Sequence, residues 1–105
     1  MESDSQSFEA VWKLICECEG QIFYTIRGLP FIYQINGNSL IPDRTQYPLS
    51  KKNFLRAFLM QPLKGPGEIN TKVRGPAYVW AILNDARIKK KDKVLLNDVK
   101  LNLKI

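Results

Sequence analysis

Histidine is absent from all 105 residues, which removes the side chain that most often serves as general base and metal ligand. The two thiols, Cys16 and Cys18, stand two places apart in a stretch that reads as helix. That spacing turns the second about 200° around the axis from the first, so the pair diverges rather than bridges. No second Cys or His pair completes a zinc site. Beyond residue 20 the carboxylates are scattered, at Asp43, Glu68, Asp85, Asp92 and Asp98. A metal-dependent nuclease needs clustered carboxylates beside a lysine. Asp43, Glu68 and Lys72 can be drawn together on paper, but their spacing does not demand it. Gly65-Pro66-Gly67 lacks both the spacing and the terminal Lys-Ser/Thr of a phosphate loop. Serine and cysteine nucleophiles have no histidine partner, and no visible feature supports a lysine in its place. The expectation is a non-enzymatic protein with no catalytic residue, metal or cofactor.

Positive charge is what remains. Residues 1–20 carry five acids and one base, a net of −4, whereas residues 21–105 carry fifteen bases and five acids, a net of +10. A basic body attracts polyanions. The candidate phosphate contacts are Arg27, Arg44, Lys51, Lys52, Arg56, Lys64, Lys72, Arg74, Lys89, Lys90 and Lys91. Lys64, Lys72 and Arg74 precede Gly75-Pro76, where a helix can start and offer its free amides to an anion. Phe23, on the same face as Arg27, is placed to meet single-stranded nucleic acid if that face is open. The leading expectation is a small nucleic-acid-binding module, DNA ahead of RNA, that contacts mainly the phosphate backbone, because no base-reading motif is present. The alternative is a protein-interaction or inhibitor module docking through its acidic first helix or an exposed sheet face.

The elements that must position these residues follow from periodicity. Phe8, Val11, Trp12, Ile15 and a cysteine recur at the three-and-four spacing of an amphipathic helix over 7–18, with Ser7 or Ser5 as cap and Gly20 as stop. From Gln21 the period changes to two. Gly28-Leu29 suits a two-residue turn that would set Ile26 opposite Phe31, Tyr24 opposite Tyr33 and Ile22 opposite Ile35. One face would then be continuously apolar, and the other would carry Phe23, Ile32 and Ile41 among Thr25, Arg27 and Gln34. Asn36-Gly37 is a strong hairpin signal and would return the chain with Leu40 opposite Tyr33. Residues 43–48 read as loop. Ser50 caps a helix over 51–61 with Phe54, Leu55, Phe58 and Leu59 on one stripe, and Pro62 with Lys64-Gly65-Pro66-Gly67 ends it. Residues 62–73 read as a long connection. Pro76 opens a third, densely apolar helix with Trp80 expected in the core. Val99, Leu101, Leu103 and Ile105 alternate with Lys100, Asn102 and Lys104, the pattern of a strand or half of a hairpin.

These elements fit a single α+β domain over 1–105: an N-terminal helix, a three-stranded antiparallel meander over 21–41, two further helices and a C-terminal strand or hairpin. Two helices followed by a basic strand segment resemble a winged helix in outline, which stands as the alternative architecture. The connection 62–73 is longer than a helix-turn-helix turn, and the third helix is too apolar to read a groove. Met1–Ser5 is acidic and polar rather than basic then apolar, and the longest apolar runs are too short to span a bilayer. The chain is therefore expected to be cytoplasmic and free of membrane.

Overall fold

A computed structural model describes residues 7–89. Among these residues, three α-helices and two small antiparallel sheets give an α+β fold. Helix α1 spans Phe8–Glu17, and its start is fixed by Ser7, whose Oγ accepts the Ala10 N–H at 3.2 Å. The chain then forms β1 (Phe23–Tyr24), β2 (Pro30–Phe31), β3 (Tyr33–Asn36), β4 (Ser39–Pro42) and β5 (Leu49–Ser50). Helix α2 (Lys51–Phe58) follows at once, with Ser50 Oγ accepting the Asn53 N–H at 3.1 Å. A 3-10 helix at Pro66–Ile69 leads to α3 (Pro76–Leu83). None of the described helices is long and apolar enough to cross a membrane. The expected C-terminal strand or hairpin lies outside the described residues.

The expected single meander is two sheets, β1 with β2 and β3-β4-β5. The break falls at Ile32, whose N–H donates to Asp43 Oδ1 and whose carbonyl accepts the Asp43 N–H. Asp43 thus takes both backbone groups of the one residue between β2 and β3. Leu49–Ser50, where the sequence marks only Ser50, as a helix cap, pairs with β4 and completes the second sheet.

The first hairpin corrects the expected register. Gly28 does not begin a two-residue turn. The Gly28 N–H donates to Thr25 O at 2.8 Å and the Thr25 N–H to Leu29 O at 2.9 Å, leaving Ile26, Arg27 and Gly28 as a three-residue loop. Gly28 takes its left-handed position, at φ +87°, as three-residue loops of this kind require. Phe23 therefore faces Phe31 and Tyr24 faces Pro30. Moving a register by an odd number of residues exchanges the two faces of a strand. Phe23, Phe31 and Tyr33 are consequently buried, while Ile22, Tyr24 and Ile26 are exposed. Phe23 is core and not an open stacking group.

The second hairpin forms as expected, but its central pair is Gly37-Asn38, with Asn36 facing Ser39. Leu40 faces Ile35, and Tyr33 faces Pro42. This shift from the expected pairing is even, so Leu40 and Tyr33 stay on one face and both are buried. Ile32 and Ile41, on the other face, are half-buried.

Tyr33 lies at the centre of the core, fully buried, with its hydroxyl donating to Ile15 O of α1 at 2.7 Å. Its ring is 5.2 Å from Phe23, and Phe31 meets Tyr78 of α3 edge-on at 5.0 Å. Trp12 packs on Phe54, and Phe8 on Phe58, joining α1 to α2. The α2 stripe is Asn53, Phe54 and Ala57, and Leu59, expected on it, is exposed because the helix ends at Phe58. In α3 the buried residues are Val79, Ala81, Ile82 and Leu83. Trp80 is half-buried rather than core, and its Nε1 donates to Leu63 O at 3.3 Å. Leu63 and Ile69 are buried, so the connection 62–73 is anchored at two points.

Burial pushes the Tyr33 phenol well above the ordinary tyrosine value of 10.0, with nearby Cys18 adding and Arg87 opposing. A pKa raised on folding means that the stability Tyr33 lends is whole below about pH 10 and is lost as pH climbs beyond it. Tyr33→Phe should cost about 1 kcal/mol at neutral pH by removing the bond to Ile15. It should also make the alkaline loss of stability shallower; urea midpoints measured from pH 8 to 11 check both. Two glycines with the same φ of +61° separate strain from crowding. A Cβ at Gly37 meets nothing within 4 Å, whereas one at Gly75 lies 3.0 Å from Leu49 Cδ1 and Cδ2. Gly37→Ala should cost about 1 kcal/mol, and Gly75→Ala distinctly more; thermal melts of the two variants side by side check the order.

Candidate nucleic-acid interface

The buried amide of Asn53 organises the basic residues. In α2 its Oδ1 accepts the Arg74 N–H at 2.9 Å, and its Nδ2 donates to Arg74 O at 2.8 Å. A side-chain amide can satisfy both backbone groups of one extended residue in this way, much as a neighbouring strand would. The segment before α3 is thereby fixed beside α2. Arg56 Nη1 adds a longer bond, 3.4 Å, to Lys72 O.

Lys52 and Arg56 are four apart on α2 and share a face. The contacts just described hold the main chain of Lys72 and Arg74 beside α2. The Arg74 guanidinium lies 5.6 Å from the centre of the exposed Tyr47 ring, a cation–π distance. All four basic side chains are exposed, and none forms an ion pair among the described residues. Exposed cations carried on a frame of backbone hydrogen bonds can neutralise phosphates without disturbing the fold.

The other expected contacts are dispersed or engaged. Lys51, next to Lys52 in sequence, lies about 100° around α2 and pairs with Glu9 of α1 at 2.9 Å. Arg44 Nε donates to Pro30 O at 2.9 Å. Arg27 is exposed on the first hairpin loop, and Lys64 and Lys89 are exposed elsewhere on the surface. Lys90 and Lys91 lie outside the described residues. The start of α3 offers little to an anion: Pro76 has no N–H, and the Tyr78 and Val79 N–H groups both donate to Gly75 O.

Sequence reasoning missed Tyr47, Asn53 and Arg87. Arg87 is a structural cation. Its side chain donates to Asp85 Oδ1 at 2.8 Å and Oδ2 at 2.9 Å, to Gln21 Oε1 and to Ile22 O. Its guanidinium also covers the Phe23 ring at 3.9 Å. The hydrogen bonds to Asp85 raise its pKa further. The Asp85–Arg87 spacing was the one signal of this in the sequence. Burial raises the Cys16 thiol, which keeps it protonated. Among the described residues no group of three or more His, Cys, Asp or Glu is placed to hold a metal ion.

Comparison with protein families, curated proteins and solved structures finds no match. Asn53→Ala removes both bonds to Arg74 and strands two backbone groups. It should destabilise by about 2–4 kcal/mol and loosen Lys72 and Arg74 from α2. Amide exchange at Arg74, accelerated beyond the change at Tyr33, is the measurement that checks the local effect.

Proposed function

We propose that this protein is a small, non-enzymatic nucleic-acid-binding module that contacts phosphates through Lys52, Arg56, Lys72 and Arg74. The observation that supports this reading is the Asn53 clamp, which holds the segment carrying Arg74 against α2 while Lys52, Arg56, Lys72 and Arg74 stay exposed. Tyr47 beside Arg74 adds an exposed aromatic ring of the kind on whose face an unpaired base stacks. The winged-helix alternative would need a helix able to lie in a groove, and α3 buries Val79, Ala81, Ile82 and Leu83. Contact with the phosphate backbone is the mode that remains. Docking through an acidic first helix draws less support. Glu9 is paired with Lys51, and Glu19 Oε2 accepts the Ile35 N–H at 2.9 Å.

Each neutralised phosphate contributes about one unit to the slope of log affinity against log salt. Lys72→Gln with Arg74→Gln should flatten that slope by about two, and the variant should weaken all sequences alike. Lys51→Gln should leave the slope nearly unchanged, because Lys51 is engaged with Glu9. Fluorescence anisotropy with labelled single-stranded and duplex DNA across a salt series reads both. No binding to either, or to RNA, at low salt would overturn the assignment.

A further inference from the structure

Among the described residues two aromatic rings stand exposed, Tyr24 at 58% and Tyr47 at 41%. Their neighbours differ. The Arg74 guanidinium lies 5.6 Å from the centre of the Tyr47 ring, whereas no cation lies over Tyr24 among the described residues. Phe23, the ring that the sequence offered for stacking, is buried beneath Arg87. Tyr47 is therefore the exposed ring that has a cation beside it.

Ring and cation are both carried on anchored main chain. Thr45 Oγ1 donates to Tyr47 O at 3.1 Å and accepts the Tyr47 N–H at 3.4 Å. Pro48 follows, which restricts the Tyr47 backbone. Leu49 is fully buried, and its Cδ1 and Cδ2 lie 3.0 Å from where a Cβ on Gly75 would stand. The residue two places after Tyr47 thus packs against the residue that follows Arg74. Asn53 holds the Arg74 main chain from the α2 side. A tyrosine side chain has only two rotatable angles, so little freedom is lost when a ligand fixes it.

An unpaired base offers its flat face to an aromatic side chain, and every base has such a face. In a duplex the bases are held inside the stack, so the ring gains nothing there. Charge alone favours the duplex, which carries the denser row of phosphates. A preference for single strands must therefore come from the bases. We propose that Tyr47 makes this protein selective for single-stranded nucleic acid, with an unpaired base stacked on the Tyr47 ring while Arg74 meets a phosphate of the same strand. The proposal rests on the phosphate-contact reading and adds to it the strand state of the ligand.

The test uses the full-length protein and one labelled, mixed-sequence oligonucleotide in three forms: single-stranded DNA, that DNA annealed to its complement, and the matching single-stranded RNA. At equal low salt the wild type should bind both single strands more tightly than the duplex. Tyr47→Ala should lower the ratio of single-strand to duplex affinity roughly 5- to 100-fold. The salt slope for single strands should not move, since a stacked base releases no counterion. Tyr47→Leu keeps apolar bulk in the loop and should lower the ratio as far, while Tyr47→Trp should preserve it. Tyr24→Ala should leave the ratio at its wild-type value. Duplex bound as tightly as single strand, or a ratio that survives Tyr47→Ala, would overturn the proposal and leave the phosphate-contact reading standing. An equal fall with Tyr24→Ala would overturn it as well, because the effect would then not belong to the ring beside Arg74. Absence of binding to all three forms would overturn both readings.

Discussion

Tyr33 ties the molecule together. Its hydroxyl reaches the α1 backbone at Ile15, its ring packs on Phe23, and its strand carries the second hairpin. Phe23 is in turn covered by Arg87, which holds the end of the described chain to the residue preceding β1. A buried phenol is tolerable only when its polar end is satisfied. The bond to Ile15 therefore does two things at once: it allows a large aromatic in the centre and fixes the distance between helix and sheet. Helices α1 and α2 then close through Trp12 on Phe54 and Phe8 on Phe58.

Charge is sorted by the angular positions of neighbouring residues. Lys51 and Lys52 are adjacent in the chain yet do different work, because one helical step turns the side chain about 100°. Lys51 straps α2 to α1 through Glu9, while Lys52 joins Arg56 on the free side. Exposed ion pairs contribute little to stability, so the Lys51–Glu9 contact matters more for which cations stay available than for how firmly the helices hold. Arg87 shows the opposite limit, a cation whose donors are directed into the fold.

The helices were legible because their signals are local. Ser7, Ser50 and Gly75-Pro76 cap or open helices where the sequence placed them, and the amphipathic spacing of 8–15 matches the buried Val11, Trp12 and Ile15. The Asn36-Gly37 hairpin was legible for the same reason, although its central pair sits one residue later. The first hairpin was misread because Gly28 serves equally well in a two-residue turn and as the last residue of a three-residue loop. That choice sets the parity of the register, and with it whether Phe23 or Tyr24 is core. Periodicity pointed to the wrong face, since Ile22, Tyr24 and Ile26 alternate on one side of 22–26 while the side that is buried carries only Phe23 and Thr25. The basic residues were visible by composition, but their grouping depends on Asn53 and Arg74, twenty-one positions apart. A contact at that separation leaves no periodic trace.

The Asn53 clamp touches only the main chain of Arg74, and that has a consequence for substitution. The frame and the charges it displays are encoded by different residues. Position 74 could drift to lysine, glutamine or serine with the amide contacts intact, because every non-proline residue offers the same N–H and carbonyl. The surface chemistry can thus be retuned by single substitutions that leave the scaffold untouched. Asn53 and Gly75, by contrast, are held in place by the scaffold itself.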